Sequence, residues 1–324
     1  MLALGTDPFR GESRITGPLA EWNRRGWIDA TYMTIGVDAP PGFTVEAHAY
    51  VVTSGSYALP QAVIDSSRAA KRRLVHDFCD APWLLAEGHP GRLGIPDAGW
   101  RSYANQCDLV TVPTSALADA TRALGVRTPV VVIDDAPDPA SWRRKPRRAT
   151  RSRLRAGWAG LPGAHAEDLA FLEPIVQATA GAVDWFFFGD APPNLIAAAR
   201  AARRFQPRVE PSLYPAVLAQ GDLDLLVLPR AGTPYDAVKN AAIVRQAALL
   251  GYAVLASDRP AFAPYPIDRL PDDPARWIET IAAYAADPAR ARRAGEELAA
   301  AIDARAAYER AATLAFAAWI GRAP

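Results

Sequence analysis

The sequence predicts an α/β protein made of two domains with parallel sheets, and three observations carry that prediction. Short apolar, β-rich runs alternate with longer stretches of helical period along the whole chain, as in βα units. The 324 residues suit about two cores rather than one. A proline- and arginine-rich stretch, APDPASWRRKPRRATRSRLR from Ala136, cannot form a core and divides the runs into two sets.

In the first set the strand candidates are Leu2 to Gly5, Ile28 to Ile35, Ala47 to Thr53, Arg73 to Phe78, Leu109 to Val112 and Val130 to Ile133. Helices are predicted at 14–25, 60–71, 97–106 and 115–124, the last capped by Ser115 after Pro113 and Thr114 stop the strand. In the second set the strands are Leu154 to Trp158, Val183 to Phe188, Asp224 to Leu228 and Ala253 to Ala256. Helices are predicted at 166–180, 192–204, 212–219 and 236–250, and Gly251 closes the last one. Leu298, Ile302, Tyr308, Leu314, Phe316 and Trp319 make 287–321 one or two amphipathic helices. The domain expectation is 1–138, a basic linker at 139–152, a second domain at 153–304, and a C-terminal helix at 305–324.

Composition narrows the function classes. With 36 basic and 35 acidic residues, a net charge of +1 and half the residues apolar, neither disorder nor a general affinity for polyanions follows. Cys79 and Cys107 supply no disulfide framework, and the histidines at 48, 76, 89 and 165 are scattered, so no metal site is expected. No uncharged run approaches the length of a membrane span and no basic flank precedes a long apolar stretch, so the reading is a soluble, cytoplasmic chain without a transmembrane segment. Abundant alanine, arginine and proline with scarce lysine point to a bacterial or phage source. From 143 to 155 eight of thirteen residues are Arg or Lys. That run reads as a solvated linker, with a polyanionic partner such as DNA or a phosphorylated lipid, and peripheral membrane contact, as the other reading.

Two stretches place polar groups at the carboxyl ends of strands, where open α/β sheets bind ligands. In RLRAGWAGLPGAHAEDLAFLEPI a strand ends at Trp158, and Gly160, Leu161 and Gly163 lead to a helix starting near His165. Backbone N–H groups and a helix N-terminus then converge as in an anion site, although a ligand-free tight turn has the same pattern. Gly189, after the next strand, joins this set. In DLDLLVLPRAGTPYDAVKNAAIVRQAALLGYAVLASD a strand ends at Pro229 and is followed by Arg230, Lys239, Asn240 and Gln246. The D-x-D of Asp222 and Asp224 leads straight into a buried run and is assigned to structure.

These stretches resemble bacterial glycosyltransferases of the group 1 type, which implies the GT-B fold: two Rossmann-like domains with parallel sheets and an interdomain cleft. The family pattern Arg-x-Gly-Trp-x-Gly, then His-x-x-Asp-Leu, is met by Arg155, Gly157, Trp158, Gly160, His165, Asp168 and Leu169. A second family pattern is met in register by Tyr235, Asp236, Lys239, Asn240, Ile243, Gln246, Gly251, Ala253, Val254, Ala256 and Ser257. The similarity runs from residue 105 to 260, with fragments such as LVHDFCDAP before it. Two departures stand out: Val238 and Gln246 occupy positions where the family has acids that contact the sugar and the ribose.

The resemblance implies an acceptor domain at 1–138 and a nucleotide-sugar domain at 153–304, with the last helix returning to the first domain. It implies a hexosyltransferase-like enzyme that moves a sugar from a nucleotide-diphosphate sugar to an unknown acceptor without a metal or other cofactor. Whether the anomeric centre is retained or inverted does not follow. The donor would lie against Gly160, Leu161, Gly163, His165, Gly189, Arg230, Lys239, Asn240 and Gln246, with His165 and Lys239 stabilising the departing diphosphate. On the acceptor side the expected residues are Arg10, Gly11, Arg14, His76 and Asp80, with Asp77 as a general base. For Asp77 the competing reading is a capping carboxylate. The alternatives are a catalytically weak or inactive accessory protein that binds nucleotide sugars, and, ranked last, a nucleotide-sugar epimerase.

Overall fold

A computed structural model of the chain describes residues 2–5, 12–34, 49–53, 61–89, 92, 94–142, 153–160, 166–189, 193–198, 204–206, 209 and 213–321. The chain divides into two compact units. The first comprises Met1–Asp138, Val238–Asn240 and Arg305–Pro324, and the second Pro139–Ala237 and Ala241–Ala304.

In the first unit the order is β1 (Leu2–Gly5), α1 (Gly17–Arg25), β2 (Thr31–Thr34), β3 (Ala49–Thr53), α2 (Gln61–Ala69), β4 (Arg73–Asp77), α3 (Asp97–Ala104), β5 (Leu109–Val112), α4 (Ser115–Ala123) and β6 (Val130–Val132). All strand pairs are parallel, in the order β2-β1-β3-β4-β5-β6. The interior strand β5, LVTV, flanked by β4 and β6, is buried at every position, which is why it reads as a continuous run rather than an alternation.

In the second unit the chain forms β7 (Leu154–Ala159), α5 (Ala166–Thr179), β8 (Val183–Phe188), α6 (Pro193–Ala198), β9 (Arg204–Gln206), α7 (Tyr214–Gly221) and β10 (Leu225–Leu228). It continues through α8 (Pro234–Ala237), α9 (Ala242–Leu250), β11 (Ala253–Ser257), β12 (Asp268–Leu270), α10 (Pro274–Ala286) and α11 (Pro288–Ala301). The sheet order is β12-β11-β10-β7-β8-β9, again parallel, so strand order reverses between β7 and β10. The carboxyl ends of those two strands form the crevice where such sheets bind ligands. The D-x-D lies at the opposite end of the sheet and serves structure: Asp222 is the left-handed cap of α7, and the Asp224 carboxylate accepts from Arg155 N at 3.0 Å.

The final helix, α12 (Ala304–Ile320), contributes Arg305 onward to the first unit. Trp22 of α1 meets Phe316 and Trp319 edge-on at 5.3 and 5.5 Å, and its indole N–H donates to the Ala312 carbonyl at 2.8 Å. Tyr308 Oη donates to the Gly17 carbonyl at 2.7 Å. Glu21, buried, collects Arg24, Arg25 and Arg305; burial opposes its charge, but these guanidinium groups outweigh it and hold the carboxyl below its usual range.

Several sequence expectations need correction. The helix predicted over 236–250 is broken into α8 and α9. Between them Val238 joins an apolar cluster with Phe78, Trp83 and Trp100, and its carbonyl accepts from Thr114 Oγ1 at 2.9 Å. These contacts replace the intrahelical bonds that a continuous helix would make. Thr114, not Ser115, caps α4: its Oγ1 accepts from Leu117 N at 3.0 Å while donating to Val238. Of the alanine-rich stretch predicted as one helix at 192–204, α6 covers Pro193–Ala198, residues 199–203 lie outside the described residues, and Arg204 opens β9 instead of closing a helix. The strand β12 and the helix α10 are absent from the sequence reading, although Asp273 before Pro274 is a clear helix start, its carboxylate accepting from Ala275 N at 3.0 Å. The tail, expected as one or two helices, is two, α11 and α12, separated at 302–303.

Candidate active site

The candidate site lies where β7, β8, β10 and β11 of the second unit end side by side. Gly160 follows β7, and its N–H donates to the Phe188 carbonyl at 3.1 Å. Gly189 follows β8 with φ +103°, and a Cβ there would overlap the Gly160 carbonyl oxygen. Both requirements, the positive φ and the close approach, select glycine. After β10 the loop is fastened from three directions. Arg230 N donates to Ser257 Oγ at 2.9 Å, Ala231 N donates to Asp168 Oδ1 at 2.7 Å, and Arg259 Nη2 donates to the Arg230 carbonyl at 2.7 Å. The Arg230 guanidinium also pairs with Asp168 through Nη1 at 3.2 Å. Thr233 and Asp236 exchange hydrogen bonds of 2.8–3.2 Å that start α8. Gln246 is half-buried on α9.

A second polar cluster occupies the carboxyl ends of β4, β5 and β6 in the first unit. Asp77 is fully buried, and both its oxygens are engaged: Arg14 binds them with Nε at 3.0 Å from Oδ2 and Nη2 on Oδ1, and Thr111 Oγ1 donates to Oδ1 at 2.6 Å. Arg14 Nη1 also reaches the Ile133 carbonyl. Burial disfavours the Arg14 charge, but Asp77 outweighs burial and raises its pKa. Lys239 pairs with Asp80 at 2.8 Å, and Asn240 Nδ2 donates to Asp135 Oδ2 at 2.9 Å. Burial pushes the Asp135 carboxyl up, against the pull of Arg14 and Ser13.

His76, fully buried and edge-on to Phe78 at 4.2 Å, is held down to about 4 by burial, against the smaller upward pull of Asp77. It is therefore neutral near pH 7. A lowered histidine pKa stabilises the fold at pH above the unfolded value near 6.5, and that contribution is lost as pH falls from there to about 4. Urea unfolding is expected to show a loss of up to ~3 kcal/mol across that window, largely removed in His76→Leu. A flat profile in the wild type contradicts this.

Of the predicted residues, Gly160, Gly189 and Arg230 come together at the strand ends of the second unit. Leu161, Gly163 and His165 lie outside the described residues, as do Arg10, Gly11 and the arginine-rich part of the linker. Lys239 and Asn240 belong to the first unit, with Asp80 and Asp135 as partners. Arg14, predicted on the acceptor side, is the buried partner of Asp77. A general base needs a lone pair facing its substrate; we therefore assign Asp77 to the fold rather than to proton transfer. His76 is likewise enclosed. Sequence reasoning missed Asp135 and the Asp168–Arg230 pair, although Asp168 stands in the motif of the resemblance. Among the described residues no group of three or more His, Cys, Asp or Glu could hold a metal ion, and no helix is long and apolar enough to cross a membrane.

No family model matches the chain, and no curated protein matches it. Solved structures do. Anabaena HepE in complex with UDP-glucose is 15% identical, with 96% of this chain and 97% of HepE covered and a TM-score of 0.65. The UDP-GlcNAc 2-epimerase of Neisseria meningitidis bound to UDP-GlcNAc is 12% identical over 97% of this chain and 98% of its own, at a TM-score of 0.57. The pneumococcal O-GlcNAc transferase GtfA, in complex with UDP and GlcNAc, is 12% identical over 82% of this chain at a TM-score of 0.50; the match spans 53% of GtfA. At such identities the likeness is one of architecture: the chain has the GT-B fold, with two Rossmann-like α/β units, found in both nucleotide-sugar transferases and epimerases.

Proposed function

We propose that the protein is a glycosyltransferase that takes its sugar from a nucleotide-diphosphate donor held in the second unit. One observation carries the reading: Gly160, Gly189 and the fastened Arg230 gather where strand order reverses, in a fold whose structural neighbours hold UDP or UDP-sugars. There the main chain can approach a diphosphate closely, and Arg230 can offset the charge that builds on it as the sugar leaves. Gln246 is the proposed partner of a ribose hydroxyl. His165 at the helix entrance is the proposed second contact to the diphosphate. The reaction is proposed to run without a metal, in the cytoplasm, on an acceptor whose chemistry stays open, polyanions included.

A second reading, a binding protein without turnover, is favoured by the engagement of both Asp77 oxygens and by the burial of Val238 where the resemblance implies an acid. Incubation of the full chain with UDP-, GDP-, TDP- and CMP-sugars tests both. Thermal stabilisation by one nucleotide with slow donor hydrolysis is the expected result. Stabilisation without hydrolysis supports the second reading, and an epimerised donor overturns both. No stabilisation by any donor overturns the site.

A further inference from the structure

Resting on the reading that a nucleotide diphosphate sits at these strand ends, we infer that Asp168 is a positioning residue that sets the Arg230 guanidinium for phosphate oxygens. Asp168 lies in the first turn of α5, 62 residues before Arg230 in the chain, and its side chain keeps 3% exposure against 14% for Arg230. The carboxylate is thus more enclosed than the Arg230 side chain. One oxygen of Asp168 takes the Ala231 N–H and the other takes Arg230 Nη1, so a single buried group fixes both the main chain after Arg230 and the end of its side chain.

The other side of Arg230 is fixed as well. Its N–H rests on Ser257 Oγ and its carbonyl on Arg259 Nη2, and Arg259 is itself paired with Asp272. Gly232, at φ +76°, lets the Arg259 guanidinium lie against the loop, where a Cβ would come within 2.7 Å of Nη2. Ending a strand requires none of this. A guanidinium is a planar fork of five donors that matches phosphate oxygens only when it is oriented, and the Asp168 contact at Nη1 anchors one end of that fork. The ligand chemistry is therefore a phosphate group, carried by a nucleotide or free.

Calorimetric titration of the full chain with UDP, UDP-glucose, uridine and inorganic phosphate tests the inference. Asp168→Asn keeps an oxygen for Ala231 N and removes the charge that holds Arg230. It and Arg230→Ala are each expected to weaken UDP and UDP-glucose by about tenfold (~1.4 kcal/mol). The double variant is expected to lose no more than either single one, since the two residues act as one unit. Uridine affinity, which a general loosening of the loop would lower, is expected to stay the same in all variants.

Nucleotide binding within about twofold of wild type in Asp168→Asn alone, additive losses in the double variant, or an equal loss for uridine would each overturn the inference. If Asp168→Asn does not fold, Asp168→Glu keeps the charge and moves it by one methylene; unchanged UDP affinity there overturns it equally. Binding of inorganic phosphate but not of UDP, or no binding of any phosphate-bearing probe by the wild type, brings down the donor-site reading itself. Normal UDP binding by Arg230→Ala brings down this inference together with the diphosphate role proposed for Arg230, and leaves a nucleotide site at Gly160 and Gly189 standing.

Discussion

Replacing Arg14 by methionine is expected to destabilise the first unit by ~3–5 kcal/mol, because it leaves Asp77 buried and without its cation. Asp77 has no exposure, and what remains after the substitution is the Thr111 hydroxyl at 2.6 Å, which cannot replace a bidentate guanidinium. The Ile133 carbonyl loses its donor at the same time, so the ends of β4 and β6 are both affected. The pair itself need not be a large net contributor, since burying two charges costs about as much as their attraction returns. Arg14→Met combined with Asp77→Leu is therefore expected to recover most of the loss. Urea unfolding followed by tryptophan fluorescence decides between the outcomes. A single-variant loss below about 1 kcal/mol, or a double variant less stable than the single one, contradicts the role assigned to this pair.

Gly189→Ala is expected to affect stability and ligand binding together. At φ +103° an L side chain is strained by about 1–3 kcal/mol, and the overlap with the Gly160 carbonyl adds a cost of similar size. The neighbour is main chain, which cannot rotate away as a flexible side chain can. Relief therefore requires the ends of β7 and β8 to part, and those ends are the proposed floor of the diphosphate site. Gly181 provides the control, because a Cβ there meets nothing within 4 Å. Gly181→Ala should leave both melting temperature and UDP affinity close to wild type, whereas Gly189→Ala lowers both. Wild-type stability in Gly189→Ala would contradict the close packing of the two strand ends.

The architecture was legible because its signals are local. The runs Leu109–Val112 and Val183–Phe188 are strands with the predicted ends, and Gly251 closes α9 at φ +70° as a helix-terminating glycine should. What escaped the sequence depends on partners far along the chain. The break at Val238–Asn240 exists because Phe78, Thr114, Asp80 and Asp135 provide contacts there, and the helical period of that stretch contains nothing of this. Asp168 stands in the motif of the resemblance, but its contacts with Arg230 and Ala231, more than sixty residues on, leave no mark in that stretch. Asp77 has the opposite history: in LVHDFCD it reads as a candidate base, and burial beside Arg14 assigns it to the fold. Gly160 and Gly189 are legible as strand-ending glycines, since each directly follows its strand, but their packing on one another links residues 29 apart and has no local signal.

A crystal structure of the protein grown with UDP-glucose tests the proposed donor site most directly. The expected result is a diphosphate resting against the main chain of Gly160 and Gly189 with Arg230 on its oxygens, and the ribose within reach of Gln246. Nucleotide bound away from the carboxyl ends of β7, β8 and β10, or saturating UDP-glucose with nothing bound there, would contradict it.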